Sequence, residues 1–164
     1  MQVIVMGVSG SGKSYLAERL VSATGWAFAE GDDFHTPDNK ARMAAGVAMT
    51  DAERKPWLDA LHAVLMQWSQ TGVNGVMTCS ALKEIYRERL MEGLRDLRFV
   101  WLDPPRPVLE QRMAHRKGHY MPAALLDSQI ATLERPTESK HVLRLDGTQV
   151  AQDEIKTVLA WLKV

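Results

Sequence analysis

One run near the start of this chain limits what it can fold into. Gly7-Val8-Ser9-Gly10-Ser11-Gly12-Lys13-Ser14 fits G-x-x-x-x-G-K-[ST] at every fixed position. Before it stands Gln2-Val3-Ile4-Val5-Met6, apolar and β-branched as a buried parallel strand is. After it, Leu16, Leu20 and Val21 fall at helical spacing with Ala17 and Ala23 beside them. Strand, glycine-rich turn and helix start therefore follow one another. Glycines let the backbone approach an anion without a Cβ in the way, and successive N–H groups at a helix N-terminus add positive potential. The chemistry implied is the binding of a nucleoside triphosphate. Lys13 would reach the β/γ-phosphates and the Ser14 hydroxyl would ligate Mg²⁺. Gly7, Ser9, Gly10, Ser11, Gly12 and the adjoining Tyr15 complete the nucleotide-binding candidates.

Length and composition narrow the class. At 164 residues and 46% apolar content, one domain spanning 1–164 with a single buried core is expected. Twenty basic and twenty acidic residues cancel, so bulk charge points to neither nucleic acid nor a membrane surface. No apolar stretch approaches a membrane span, and no signal peptide is expected ahead of the motif. Cys79 is the one cysteine, which precludes an internal disulfide and suggests a reducing cytoplasm.

Along the chain, 26–29 reads as a short strand ending at Glu30-Gly31-Asp32-Asp33. Ligands of open α/β sheets bind beyond the carboxyl ends of strands, so Asp32 falls where it could hold Mg²⁺ or accept a hydroxyl proton. Asp33 fits that reading or a solvated turn equally. Thr36 and Pro37 open a short helix that ends near Gly46. Thr50 and Glu53 form a capping box for a longer one, with Trp57, Leu58, Leu61, Val64, Leu65 and Trp68 as its apolar stripe. Arg54, a cation against the dipole of that helix start, fits either a solvated position or substrate binding. A strand over 73–79 leads to a helix whose inward face is Leu82, Ile85, Tyr86 and Leu90, with Lys83 in its first turn and Arg87 at i+4 from it. Both cations are candidates for an anionic substrate or a solvated face. A strand over 97–102 follows, then a helix from about Pro107 carrying Arg112. It runs into the basic stretch 114–122, and a second helix has Leu125, Leu126, Ile130 and Leu133 in phase. Residues 114–135 are expected to form a lid whose arginines close over the phosphates. Strand 141–145 and a helix lined by Ile155, Val158, Leu159 and Leu162 close the chain. The histidines show no metal-ligand spacing, which leaves nucleotide-borne Mg²⁺ as the expected cofactor beside ATP.

These residues carry a resemblance. With Gly31-Asp32-Asp33-Phe34-His35, Asn39, Met43, Asp51, Arg54-Lys55-Pro56-Trp57, Cys79-Ser80-Ala81-Leu82-Lys83, Tyr86-Arg87, Arg116-Lys117-Gly118-His119 and Ser128-Gln129, nearly the whole chain resembles the bacterial gluconate kinases (gluconokinases). These are small relatives of the shikimate and adenylate kinases. The phosphate loop is shared by many unrelated families; the Arg-Lys-Pro-Trp and Cys-Ser-Ala-Leu-Lys runs are far more specific. The resemblance implies ATP-dependent phosphorylation of D-gluconate to 6-phosphogluconate and a homodimer. It also implies a nucleoside-monophosphate-kinase-like α/β fold: a three-layer arrangement around a five-stranded parallel sheet of order 2-3-1-4-5, with a helical lid. On it, Asp32 is the base or metal-side carboxylate, and His35, Arg54, Lys83, Arg87, His119 and Gln129 face the acceptor. Arg112 and Arg116 serve nucleotide and transferring phosphate, with Lys13, Asp32 and Arg116 catalytic. Tyr120-Met121 stands where such proteins often carry Phe.

Two other readings compete. A shikimate or nucleotide kinase would use the same loop and could use the same cations. A GTPase-like switch would need an Asn-Lys-x-Asp run, and Asn39-Lys40-Ala41-Arg42 lacks its aspartate.

Overall fold

The computed structural model describes residues 1–115, 123–149 and 151–164. Arg116, His119 and much of the basic stretch expected to open the lid lie outside the described residues. Five strands form one parallel sheet: β1 (Gln2–Met6), β2 (Ala27–Glu30), β3 (Gly75–Cys79), β4 (Leu97–Leu102) and β5 (Val142–Leu145). Their order is β2-β3-β1-β4-β5, as the resemblance implies. Around them lie α1 (Lys13–Thr24), α2 (Pro37–Ala44), α3 (Asp51–Gln70), α4 (Glu84–Met91), α5 (Arg106–Ala114), α6 (Ala123–Thr132) and α7 (Ala151–Leu162).

Alternation along the strands builds the three layers. Side chains of a strand point to opposite faces, and a parallel sheet covered on both sides buries both sets. Ile4 and Met6 of β1, Met77 and Cys79 of β3 and Phe99 and Trp101 of β4 pack against α3, α4 and the Leu109 and Leu126 side chains of α5 and α6. Val3, Val5, Val76, Val100 and Leu102 face the other way, onto Leu16 and Leu20 of α1 and Val158 and Leu162 of α7. Val3 through Met6 are fully buried. The central strand β1 thereby delivers the glycine-rich loop to the carboxyl edge of the sheet, between β3 and β4.

Several predicted boundaries shift. Val73 stays outside β3 and is partly exposed, and Trp26 precedes β2. The helix after β3 starts later than expected: Leu82 lies before it and Lys83 is its N-cap. Ile85 is exposed at 53% instead of inward, because within α4 it stands about 100° round from Tyr86 and about 140° from Leu90, off the face those two share. The start of α3 is as expected. Thr50 Oγ1 accepts from the Glu53 N–H at 3.3 Å, and the Thr50 N–H donates to the Glu53 carboxylate at 2.7 Å. That backbone bond, with Arg42, holds the Glu53 carboxyl down at about 2. Asp51 and Arg54 sit on this fixed first turn.

The described part of the expected lid is seated on the core. Leu125 and Leu126 of α6 are buried, Ile130 and Leu133 pack on the same cluster, and the Glu134 N–H donates to Leu82 O at 2.9 Å.

Candidate active site

The phosphate loop is shaped by its glycines. Gly12, the N-cap of α1, takes φ 101°, a left-handed conformation that a side chain would strain. Lys13 Nζ donates to Val8 O at 3.1 Å, folding the lysine back over the loop it belongs to. The Ser9 N–H donates to Gln129 Oε1 at 2.7 Å, so Gln129, expected to face the acceptor, holds an amide of the phosphate loop.

Next to the loop stands a carboxylate that the sequence reading passed over. Glu30 ends β2, and the Ser14 hydroxyl donates to its Oε2 at 2.7 Å. The Thr78 hydroxyl of the neighbouring strand also donates to Glu30, through a close contact. The register makes this possible, since Glu30 and Thr78 are paired residues of β2 and β3. Ser14, Glu30 and the nearby Asp32 offer only hard oxygen donors, the set that suits Mg²⁺. Glu30 carried no signal beyond its place at the carboxyl end of a strand, and its role depends on Thr78, far along the chain.

Asp32 follows on a single 3-10 turn, Gly31–Phe34. Gly31 is required by contact: a Cβ there would stand 2.0 Å from Thr78 O. The Trp57 indole N–H donates to Gly31 O at 2.8 Å, and the His35 ring stacks on Trp57 with centroids 4.3 Å apart. His35 is 7% exposed, and burial drives it down to about 4 in spite of Asp32, so the ring is neutral. Its Nδ1 has no hydrogen-bond partner. One cysteine shows how these groups converge. The buried Cys79 thiol, pushed up to about 12 by desolvation, feels the charges of Asp32, Lys13 and Arg54 together. The register also sets Met6, just before the phosphate loop, beside Cys79, so the loop and the turn that carries Lys83 adjoin at the carboxyl edge of the sheet.

At the start of α3 a second cluster forms around Asp51. Lys83 Nζ donates to both Asp51 carboxylate oxygens at 2.9 Å, and the Tyr86 hydroxyl donates to the same group in a close contact. The Tyr86 hydroxyl and Lys83 hold the Asp51 carboxyl below its usual range. Arg54 lies over the Tyr86 ring at 5.6 Å, and its Nε donates to Met49 O at 3.4 Å. Arg54 and Lys83 thus share one face. Arg87 is placed differently: it is buried, and its Nη1 donates to Ala81 O at 2.9 Å and Leu82 O at 3.1 Å. Ala81 is a non-glycine residue at positive φ, 44°. Arg87 thereby clamps the turn that presents Lys83.

Beside the loop a cleft of about 530 Å³ opens between Gly10, Gly12, Tyr15, Arg112, Gly147, Gln149 and Glu154. Arg112 ties its walls together, donating from Nη1 to Ser11 O at 3.0 Å and from Nη2 to Gly147 O at 2.5 Å. Tyr15 is 52% exposed at the cleft, with the Arg19 guanidinium 4.2 Å over its ring.

Comparison with known proteins agrees with this arrangement. Residues 3–136 match the family model described as AAA domain. The gluconokinase of Gluconobacter oxydans is 45% identical over 88% of this chain and 82% of its own length. Among solved structures, a sugar kinase from a Janibacter species, solved unliganded, superposes with a TM-score of 0.93 at 44% identity, covering 99% of this chain and 94% of the other. A gluconokinase from Sinorhizobium meliloti gives a TM-score of 0.89 at 40% identity, covering 99% and 91%. A phosphate loop at the centre of the sheet and two polar clusters beside it are thus found in a chain that belongs to the gluconokinase family.

Proposed function

We propose that this protein transfers the γ-phosphoryl group of ATP to the C6 hydroxyl of D-gluconate, giving 6-phospho-D-gluconate and ADP. One observation carries the reading: the register sets Met6, just before the phosphate loop, beside Cys79, just before the Lys83 turn, and the Trp57–Gly31 hydrogen bond ties α3, which carries Arg54, to the same sheet edge. Phosphoryl transfer asks the protein mainly for positioning and charge stabilisation. Lys13 and the loop N–H groups would bind the β/γ-phosphates, with Arg112 keeping the nucleotide cleft in shape. Mg²⁺ would be held by Ser14 and, through water, by Glu30 and Asp32; when bound it neutralises charge on the phosphate oxygens.

Asp32 accepts the proton of the attacking hydroxyl or helps to hold the metal. Arg54 and Lys83 bind the gluconate carboxylate, a group for which a guanidinium fork is well suited. The neutral His35 offers an unused ring nitrogen to a sugar hydroxyl. Arg87 acts through the Ala81–Lys83 turn. Arg116 and His119 are assigned to the transferring phosphate and the acceptor on the resemblance. The one buried cysteine, the balanced charge and the absence, among the described residues, of a helix long and apolar enough to cross a membrane fit a cytoplasmic enzyme. A homodimer follows from the same resemblance.

Product identification tests the reading. Incubation with ATP, Mg²⁺ and D-gluconate should give a phosphomonoester coupled to the C6 protons by ³¹P NMR. A phosphate on any other carbon, or none, refutes it.

A further inference from the structure

Among the described residues lining the nucleotide cleft, two buried polar atoms lack hydrogen-bond partners, Ser11 Oγ in the phosphate loop and Glu154 Oε1 away from it. Glu154, in the first turn of α7, is 7% exposed, yet its Oε1 has no hydrogen-bond partner. The Gln149 N–H favours the charged form of both Glu154 and Asp146, and Oε1 of Glu154 stays the spare acceptor in the cleft wall. Burial, with Asp146 nearby, pushes the carboxyl above its ordinary range. A buried acceptor without a donor is unfavourable and rare in folded proteins, so its presence beside a cleft points to a donor supplied by a ligand.

The position says which part of a ligand. Gly10, Ser11 and Gly12 form one wall of the cleft, and the acceptor cluster of Asp51 and Arg54 arises from α3 and the end of β3 rather than from its lining. A nucleotide whose phosphates rest on the loop would thus direct its base between Arg112, Gln149 and Glu154. We propose that Glu154 reads the nucleobase, its Oε1 accepting a hydrogen bond from the exocyclic 6-amino group of adenine. The inference rests on ATP occupying this cleft. A 6-oxopurine would set a carbonyl oxygen against the carboxylate, acceptor against acceptor, and leave both unpaired. Glu154 is then a specificity-determining residue.

Equilibrium titration of the full chain with ATP, ITP, GTP and purine riboside 5′-triphosphate tests this without any acceptor sugar. ATP should bind roughly tenfold tighter than ITP or the purine riboside compound, the size expected for one lost hydrogen bond and an unpaired buried oxygen. In Glu154→Gln an amide N–H₂ replaces one carboxylate oxygen, and with the amide oxygen turned toward the Gln149 N–H it faces the base. The ATP-to-ITP ratio should then fall to about one or invert, as the donor now meets the 6-oxo group. Equal wild-type affinities, GTP as tight as ATP, or an unchanged ratio in the folded variant would each overturn the proposal. If the variant does not fold, the wild-type triphosphate series decides alone. Failure of gluconate phosphorylation with the base preference intact would count against the function and leave this inference standing.

Discussion

Lys13 and His35 show how single residues carry the account. Lys13 is placed to neutralise oxygens whose charge grows in a loose phosphoryl-transfer transition state. Replacing it by Met should lower kcat roughly a hundredfold or more with the melting temperature little changed; near wild-type turnover in a folded variant would count against its role. His35 makes a stability prediction. Its pKa is about 4 in the folded chain against 6.5 ordinarily, so between those values the unfolded chain binds a proton that the folded chain does not. Stability should therefore fall as pH drops from 6.5 to 4, by about 2 kcal/mol after discounting for residual solvent screening. His35→Phe keeps the stacking on Trp57 and removes the titration. Urea unfolding at several pH values should show a shallower acid loss in that variant, and identical slopes would contradict the burial argument. The phosphate loop and the Gly-Asp-Asp-Phe-His run were legible because spacing alone defines them. The neutrality of His35 was not, since it depends on a tryptophan 22 positions later in another element.

At the scale of elements, the junction of β2 and β3 and the start of α3 position the reacting groups. A Cβ on Gly31 would meet Thr78 O at 2.0 Å, forcing the edge strand off its neighbour. Gly31→Ala should cost about 2 kcal/mol or more by thermal unfolding and lose activity as Asp32 moves; a fully active, fully stable variant would refute this. The capping box fixes Arg54 through backbone geometry. Arg54→Ala should raise KM for gluconate roughly tenfold to a hundredfold, the range for a lost charge-assisted hydrogen bond, with ATP affinity unchanged. Steady-state kinetics in each substrate separate the two constants, and a raised Kd for ATP with normal KM for gluconate would place Arg54 on the wrong side. The capping box and strand alternation were readable because they are local patterns. The Asp51–Lys83–Tyr86 cluster and the Glu30–Thr78 contact were not: each depends on partners more than 30 positions apart, brought together by the packing of α3 on α4 in one case and by the parallel register in the other. The late start of α4 escaped for a related reason, because the Ala81 turn is held by the Arg87 side chain and not by a turn residue.

For the whole molecule the proposal is a nucleotide cleft and a cationic acceptor face at one edge of the sheet, and the central claim is that this face selects a sugar acid. Residue pattern alone reached a small phosphotransferase with an anion-friendly acceptor site; the sugar acid came from the resemblance and from relatives such as the Gluconobacter oxydans gluconokinase. Glucose offers no charge to Arg54 and would leave that guanidinium without an anionic partner on closure, Lys83 being already paired with Asp51. A site built for a charged group rejects an analogue lacking it by up to roughly 10⁴-fold. The most direct measurement is kcat/KM for ADP release with D-gluconate, glucose, shikimate and nucleoside monophosphates at saturating ATP. D-gluconate should lead the panel, with glucose almost inert. Preference for glucose, shikimate or a nucleoside monophosphate would contradict the assignment of the acceptor while leaving the phosphate loop and its chemistry in place.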